Sequence, residues 1–102
     1  MEILDELSFI DENTNLIHSV HFTEKELLMA KAKKANIIHC PTSNLKLASG
    51  IMPLNIAWDL GINVALGTDS VASNNCMDMF AEMKLCAIMH KNHHQKPEAT
   101  TA

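Results

Sequence analysis

The hydrophobic pattern alternates between short continuous apolar runs and longer stretches of helical spacing. Asn15-Leu16-Ile17-His18 and Asn36-Ile37-Ile38-His39 repeat one N-[LI]-I-H pattern 21 positions apart, and Ile62-Asn63-Val64-Ala65-Leu66 forms a third run ending in Gly67-Thr68-Asp69. Unbroken apolar runs of this length predict strands buried on both faces rather than half-exposed ones. Between them, Thr23-Glu24-Lys25-Glu26 has the form of a capping box, which opens a helix predicted to reach about Ala35. A second helix is expected over Met52–Leu60, with Pro53 in its first turn and Gly61 as its left-handed stop. A third is expected from Met77 or Asp78 to His90, with Phe80, Met83, Ala87 and Cys86 on its buried side, and residues 3–10 read as the end of an earlier helix.

Strict helix–strand alternation implies a parallel sheet with right-handed crossovers, hence an α/β fold. Cys40–Gly50 reads as an 11-residue connection from strand to helix. Such loops ordinarily have ~2–6 residues, and long ones at this end often belong to a ligand site. Residues 91–102 are polar, contain Pro97 and read as a tail or linker after a domain spanning 1–90.

Charge and composition narrow the function. The 102 residues carry 8 Lys, no Arg and 12 acidic side chains, a net charge of −4 that argues against a nucleic-acid surface. No apolar run approaches the ~18 residues of a membrane span, and the acidic start Met1–Glu6 lacks the basic end of a secretion signal. Cys40, Cys76 and Cys86 are an odd set without a C-x-x-C pair, which fits reduced thiols and a cytoplasmic location.

In parallel β/α proteins the ligand binds beyond the carboxyl ends of the strands. Three such ends carry His18, His39 with Cys40, and Asp69. His18 and His21 are three apart, so on a strand they face opposite ways, and His18 is the one expected to face the site. For each residue a plainer role stands beside the chemical one: a strand-end histidine bonded to a carbonyl, or an aspartate closing an Asx turn. His90, His93 and His94 share one helix face and suit zinc, although a dipole-complementing helix end is the simpler reading. The cysteines read as small buried or half-buried residues, and the methionines as core filling.

Three ordered blocks, Leu16–Thr23, His39–Pro53 and Leu66–Asn75, resemble the amidohydrolase superfamily. The resemblance is to the branch of 5′-methylthioadenosine/S-adenosylhomocysteine deaminases and their chlorohydrolase-like relatives. It implies strands six to eight of a distorted (β/α)₈ TIM-type barrel, with one divalent ion, zinc or sometimes iron. The reaction it implies is hydrolytic deamination of adenosine-type nucleosides, with guanine- and triazine-type substrates as alternatives. On that analogy His18 hydrogen-bonds the attacking water, and Asp69 binds the metal, takes a proton from that water and borders the substrate. Ser43 and Asn44, in the loop after strand seven, also border the substrate.

The family's first-strand H-x-H pair and strand-five histidine are absent, so Asp69 is the one metal ligand of that pattern placed here. The expectation is therefore a piece of a barrel, inactive and without tightly held metal alone. It would complete its site with an N-terminal barrel half or associate with itself through open sheet edges. A non-catalytic β/α module that self-associates or completes a partner's barrel is the alternative from another class.

Overall fold

The computed structural model describes residues 1–95 and shows helices alternating with three strands. β1 (Asn15–Ile17), β2 (Asn36–His39) and β3 (Val64–Leu66) form one parallel sheet in the order β1-β2-β3. The N-[LI]-I-H repeat acquires a structural meaning in the register. Asn15 pairs with Asn36, Leu16 with Ile37 and Ile17 with Ile38, so the two histidines that follow both reach the carboxyl edge. On the other side His39 pairs with Leu66, which places Gly67-Thr68-Asp69 beyond the same edge.

The helices are α1 (Glu2–Glu6), α2 (Glu24–Ala32), α3 (Pro41–Lys46), α4 (Leu54–Asp59), α5 (Val71–Asn74) and α6 (Met79–His93). The capping box forms: the Thr23 hydroxyl accepts from the Glu26 amide, and the Glu26 carboxylate accepts from the Thr23 amide at 2.9 Å. α2 stops at Ala32, short of Ala35, because Lys34 turns to φ +58. Gly61 adopts φ +72 just after α4, as a left-handed stop requires. Pro53 caps α4 instead of lying inside its first turn. α6 is capped by the Asp78 carboxylate, which accepts from the Phe80 and Ala81 amides, and it continues past His90 to His93. The rest of the polar tail, from residue 96, lies outside the described residues.

Three expectations need correction. Cys40–Gly50 is not one loop, because Pro41 at the first helical position starts α3 directly after β2. Only β2 has fully buried positions, whereas β1 and β3 alternate between exposed and half-buried. Each of those two strands pairs with β2 alone among the described residues, so neither is walled in on both sides. The buried stripe of α6 is Glu82, Cys86 and His90, while Phe80 is 81% and Met83 54% exposed.

The core lies where α2 and α4 pack against the sheet, around the fully buried Leu27, Ala30, Ile37, Met52 and Ala57. α3 packs on α5 and α6, which gathers the polar segments after β2 and β3 at the carboxyl edge. No helix among the described residues is long and apolar enough to cross a membrane.

Candidate functional site at the carboxyl edge

His18 follows β1 directly, its amide donating to the Ile38 carbonyl at 2.9 Å, so the sheet ladder itself fixes the histidine backbone. It then turns to φ +69 and Ser19 to φ +53, while Asp69 beyond β3 sits at φ +60. Left-handed backbone is uncommon away from glycine, and such residues cluster at binding and catalytic sites. These turns bring His18 Nε2 within 3.6 Å of Asp69 Oδ2, across the end of the central strand.

Asp69 is held from several directions. Ser43 Oγ donates to Oδ2 at 2.6 Å and the Ser70 amide to Oδ1 at 2.8 Å. The Ser43 hydroxyl first, then the Ser70 amide, keep the carboxyl below its ordinary pKa, with smaller help from Ser73 and from His18. Ser43 is fixed because α3 starts at once after β2, and both Ser43 and Asn44 are buried. Asn44 Nδ2 and His18 Nδ1 are buried donors or acceptors without a hydrogen-bond partner, available to a ligand. His21 is exposed, with its ring lying against Gly50. The groove lined by Lys31, Ala35, Gly61 and Asn63 opens at the opposite, amino-terminal edge of the sheet, away from this chemistry.

Glu82 braces the site from below, a role that sequence reasoning did not assign. It is 1% exposed and accepts from the Thr42 amide at 3.2 Å and from the Asn74 side chain at 2.7 Å. Asn74 also donates to the Thr68 carbonyl at 2.7 Å. One carboxylate thus ties α6 to the start of α3 and to the segment carrying Asp69. The available signal is the spacing Glu82, Cys86, His90, a stripe at i, i+4, i+8 that runs beside the apolar one and shares Cys86 with it.

His90 is not part of a charged helix end. It is completely buried, its Nε2 is 2.9 Å from His39 Nε2, and its Nδ1 is 3.1 Å from His94 Nε2. Burial first, then the neighbouring imidazoles, push its pKa down to about 3, and burial pushes that of His39 to about 4. Both rings are therefore neutral at pH 7 and lend no charge to the helix dipole. His39, Cys86 and His90 bring one potential ligand atom each within 4.8 Å of one another, whereas His90, His93 and His94 do not form such a group.

A parallel β/α wall with histidine and aspartate at its carboxyl edge is the kind of surface on which TIM-type barrels build their sites. The sequence model of the amidohydrolase family matches residues 1–102, and the chain belongs to that family. It is 47% identical over 96 residues to the 5-methylthioadenosine/S-adenosylhomocysteine deaminase of Pyrococcus furiosus, covering 94% of this chain and 23% of that protein. It is 50% identical over 90 residues to the 5'-deoxyadenosine deaminase of Methanosphaera stadtmanae, covering 88% of this chain and 21% of that one. A crystal structure of an adenosine deaminase from Xanthomonas campestris with bound zinc superposes at a TM-score of 0.91 and 36% identity, over 95% of this chain and 22% of that one. The chain thus spans less than a quarter of the length of these relatives. It folds as three βα units of the TIM-type barrel.

Proposed function

We propose that this chain supplies one wall of a zinc-dependent aminohydrolase site that removes the amino group of adenosine-type nucleosides. The observation that carries the reading is the 3.6 Å approach of His18 Nε2 to Asp69 Oδ2 at the carboxyl edge. The substrate class is supported by the relatives, whose names share an adenine nucleoside despite different 5′ groups. The common target is an aromatic ring carbon that takes up water and loses ammonia.

The donor set fits a divalent ion in part. Asp69 offers a carboxylate kept ionised by Ser43 and Ser70, half-exposed toward solvent, which is a suitable oxygen ligand. The family's other ligands have no counterpart here, so the rest of the coordination sphere comes from other barrel strands. Those strands belong to the same polypeptide or to a partner subunit. When bound, the ion acidifies water and polarises the reacting centre. Zinc is favoured over iron because the Xanthomonas campestris relative contains it.

In this arrangement Asp69 accepts the proton of the attacking water on a carboxylate oxygen. His18 Nε2 donates to the oxygen that adds to the ring. The Ser43 hydroxyl holds the Asp69 carboxylate in place, and the Asn44 amide, a buried donor without a partner, meets a ring nitrogen of the substrate. The free thiols Cys40, Cys76 and Cys86 fit the reducing cytoplasm.

A direct test joins this chain to the N-terminal barrel segment of the Pyrococcus furiosus relative and measures ammonia released from methylthioadenosine, S-adenosylhomocysteine, guanine and a triazine. Turnover of the two adenine nucleosides is expected, and Asp69→Asn should lower kcat by at least ~10³, His18→Ala by ~10²–10³. Full activity of Asp69→Asn would overturn the ligand role. Preference for guanine or the triazine would overturn the substrate class.

A further inference from the structure

We propose that His39, Cys86 and His90 form a second, interior cation site that takes a divalent ion of the zinc class, distinct from the site at Asp69. It stands independently of the deaminase reading. α6 sets Cys86 and His90 four residues apart on its buried face, a helical spacing that lets two side chains grip one ion. β2 ends in His39, which meets them from the sheet; both histidines are 0% exposed and Cys86 is 7% exposed. One donor atom from each lies within 4.8 Å of the others. Tetrahedral zinc, with bonds of roughly 2.0–2.3 Å, sets neighbouring donors about 3.3–3.6 Å apart. The 2.9 Å between His39 Nε2 and His90 Nε2 is a few tenths of an ångström short of that, and Cys86 Sγ lies within 4.8 Å of a ring nitrogen of each histidine.

Two independent observations point to a cation instead of plain packing. His39 is fully buried, yet its Nδ1 has no hydrogen-bond partner, a costly state that ligation through Nδ1 in place of Nε2 relieves. Glu82, one turn before Cys86 on the same stripe, is a buried carboxylate whose two oxygens accept from neutral donors, the Thr42 amide and the Asn74 side chain. Its negative field reaches both His39 and Cys86. A divalent ion between those residues compensates that charge and is itself held more tightly by it.

Two imidazoles and a thiol select borderline ions such as Zn²⁺ and Co²⁺ over Mg²⁺ and Ca²⁺. On binding, the Cys86 S–H bond breaks, the sulfur electron pair goes to the metal and the proton leaves to solvent, so affinity rises with pH. The ion would pin α6 to the end of β2, directly beneath the segment that carries Ser43.

The experiment uses the full 102-residue chain, stripped with a chelator and titrated with Co²⁺ at pH 7.5. One equivalent should produce a near-ultraviolet thiolate-to-cobalt charge-transfer band, retained in Asp69→Asn, His18→Ala and Cys40→Ser. Cys86→Ser should lose the band, and His90→Gln should weaken binding at least ~10-fold. On the unsubstituted chain, one equivalent of Zn²⁺ should slow alkylation of Cys86 at least several-fold, read by mass spectrometry, and leave the exposed Cys76 unaffected. No band at stoichiometric Co²⁺, a band that survives in Cys86→Ser, or alkylation of Cys86 indifferent to Zn²⁺ would each overturn the site.

Discussion

Glu82, buried outside the carboxyl edge, accepts from two donors on two other segments. Replacing it by alanine leaves the Thr42 amide and the Asn74 side chain without their buried acceptor, at a cost of about 2–4 kcal/mol. Glu82→Gln should recover part of that loss, since one oxygen still accepts while the new amide meets a donor. Urea denaturation of both variants reads the difference, and equal stability of Glu82→Ala and the parent would remove the brace. Gly67 is equally constrained. A Cβ there would lie 3.1 Å from Ile38 Cγ2 and 3.2 Å from Cys40 Sγ, so Gly67→Ala is expected to destabilise by about 1–3 kcal/mol and to shift Asp69. Neither constraint shows in the residues alone. His18 and Asp69 were readable as strand-end groups because parallel β/α geometry fixes which edge they reach. Glu82 and His90 are not, because α6 buries a polar stripe and leaves Phe80 and Met83 exposed, the reverse of what apolar spacing implies.

Among the elements, those with local signals were readable and those decided by neighbours were not. The capping box of α2 and the Asp78 cap of α6 each satisfy amide donors that the helix cannot satisfy itself. Thr23→Ala and Asp78→Ala should each cost about 1 kcal/mol, measured as a lower denaturation midpoint. α3 is hidden in the sequence because Cys40 gives no side-chain cap and Thr42-Ser43-Asn44 reads as loop chemistry; Pro41 at its first position is the one local signal for it. The apolar runs mark the strands, but β1 and β3 are less buried than such runs imply. An unbroken run records the environment of a closed wall, and here each outer strand pairs on one side among the described residues.

At the scale of the whole molecule, the buried imidazoles make stability depend on pH. Burial holds His39 at about 4 and His90 at about 3, below the ~6.5 of an exposed histidine. Between those values the unfolded chain binds more protons than the folded one, so stability rises with pH across the window. It is complete above about pH 6.5 and is lost as the pH falls toward 4. In the metal-free chain the unfolding free energy should drop by roughly 2 kcal/mol between pH 7 and 5.5, with a smaller drop in His90→Gln. Association belongs to this scale too. Three parallel strands cannot close on themselves, and β1 exposes Ile17 at 58%. α6 exposes Phe80, Met83 and Ile88 on a stripe that, by the same logic, seeks a neighbour. Light scattering of the 102-residue chain at micromolar concentration should therefore give a mass above the monomer that rises with concentration. Phe80→Lys and Ile17→Lys should each reduce that mass, the first by charging the helix stripe and the second by charging the sheet edge. If only Phe80→Lys acts, copies meet through the helices. If only Ile17→Lys acts, they add strand to strand, and a parent chain that stays monomeric would show that neither surface drives assembly.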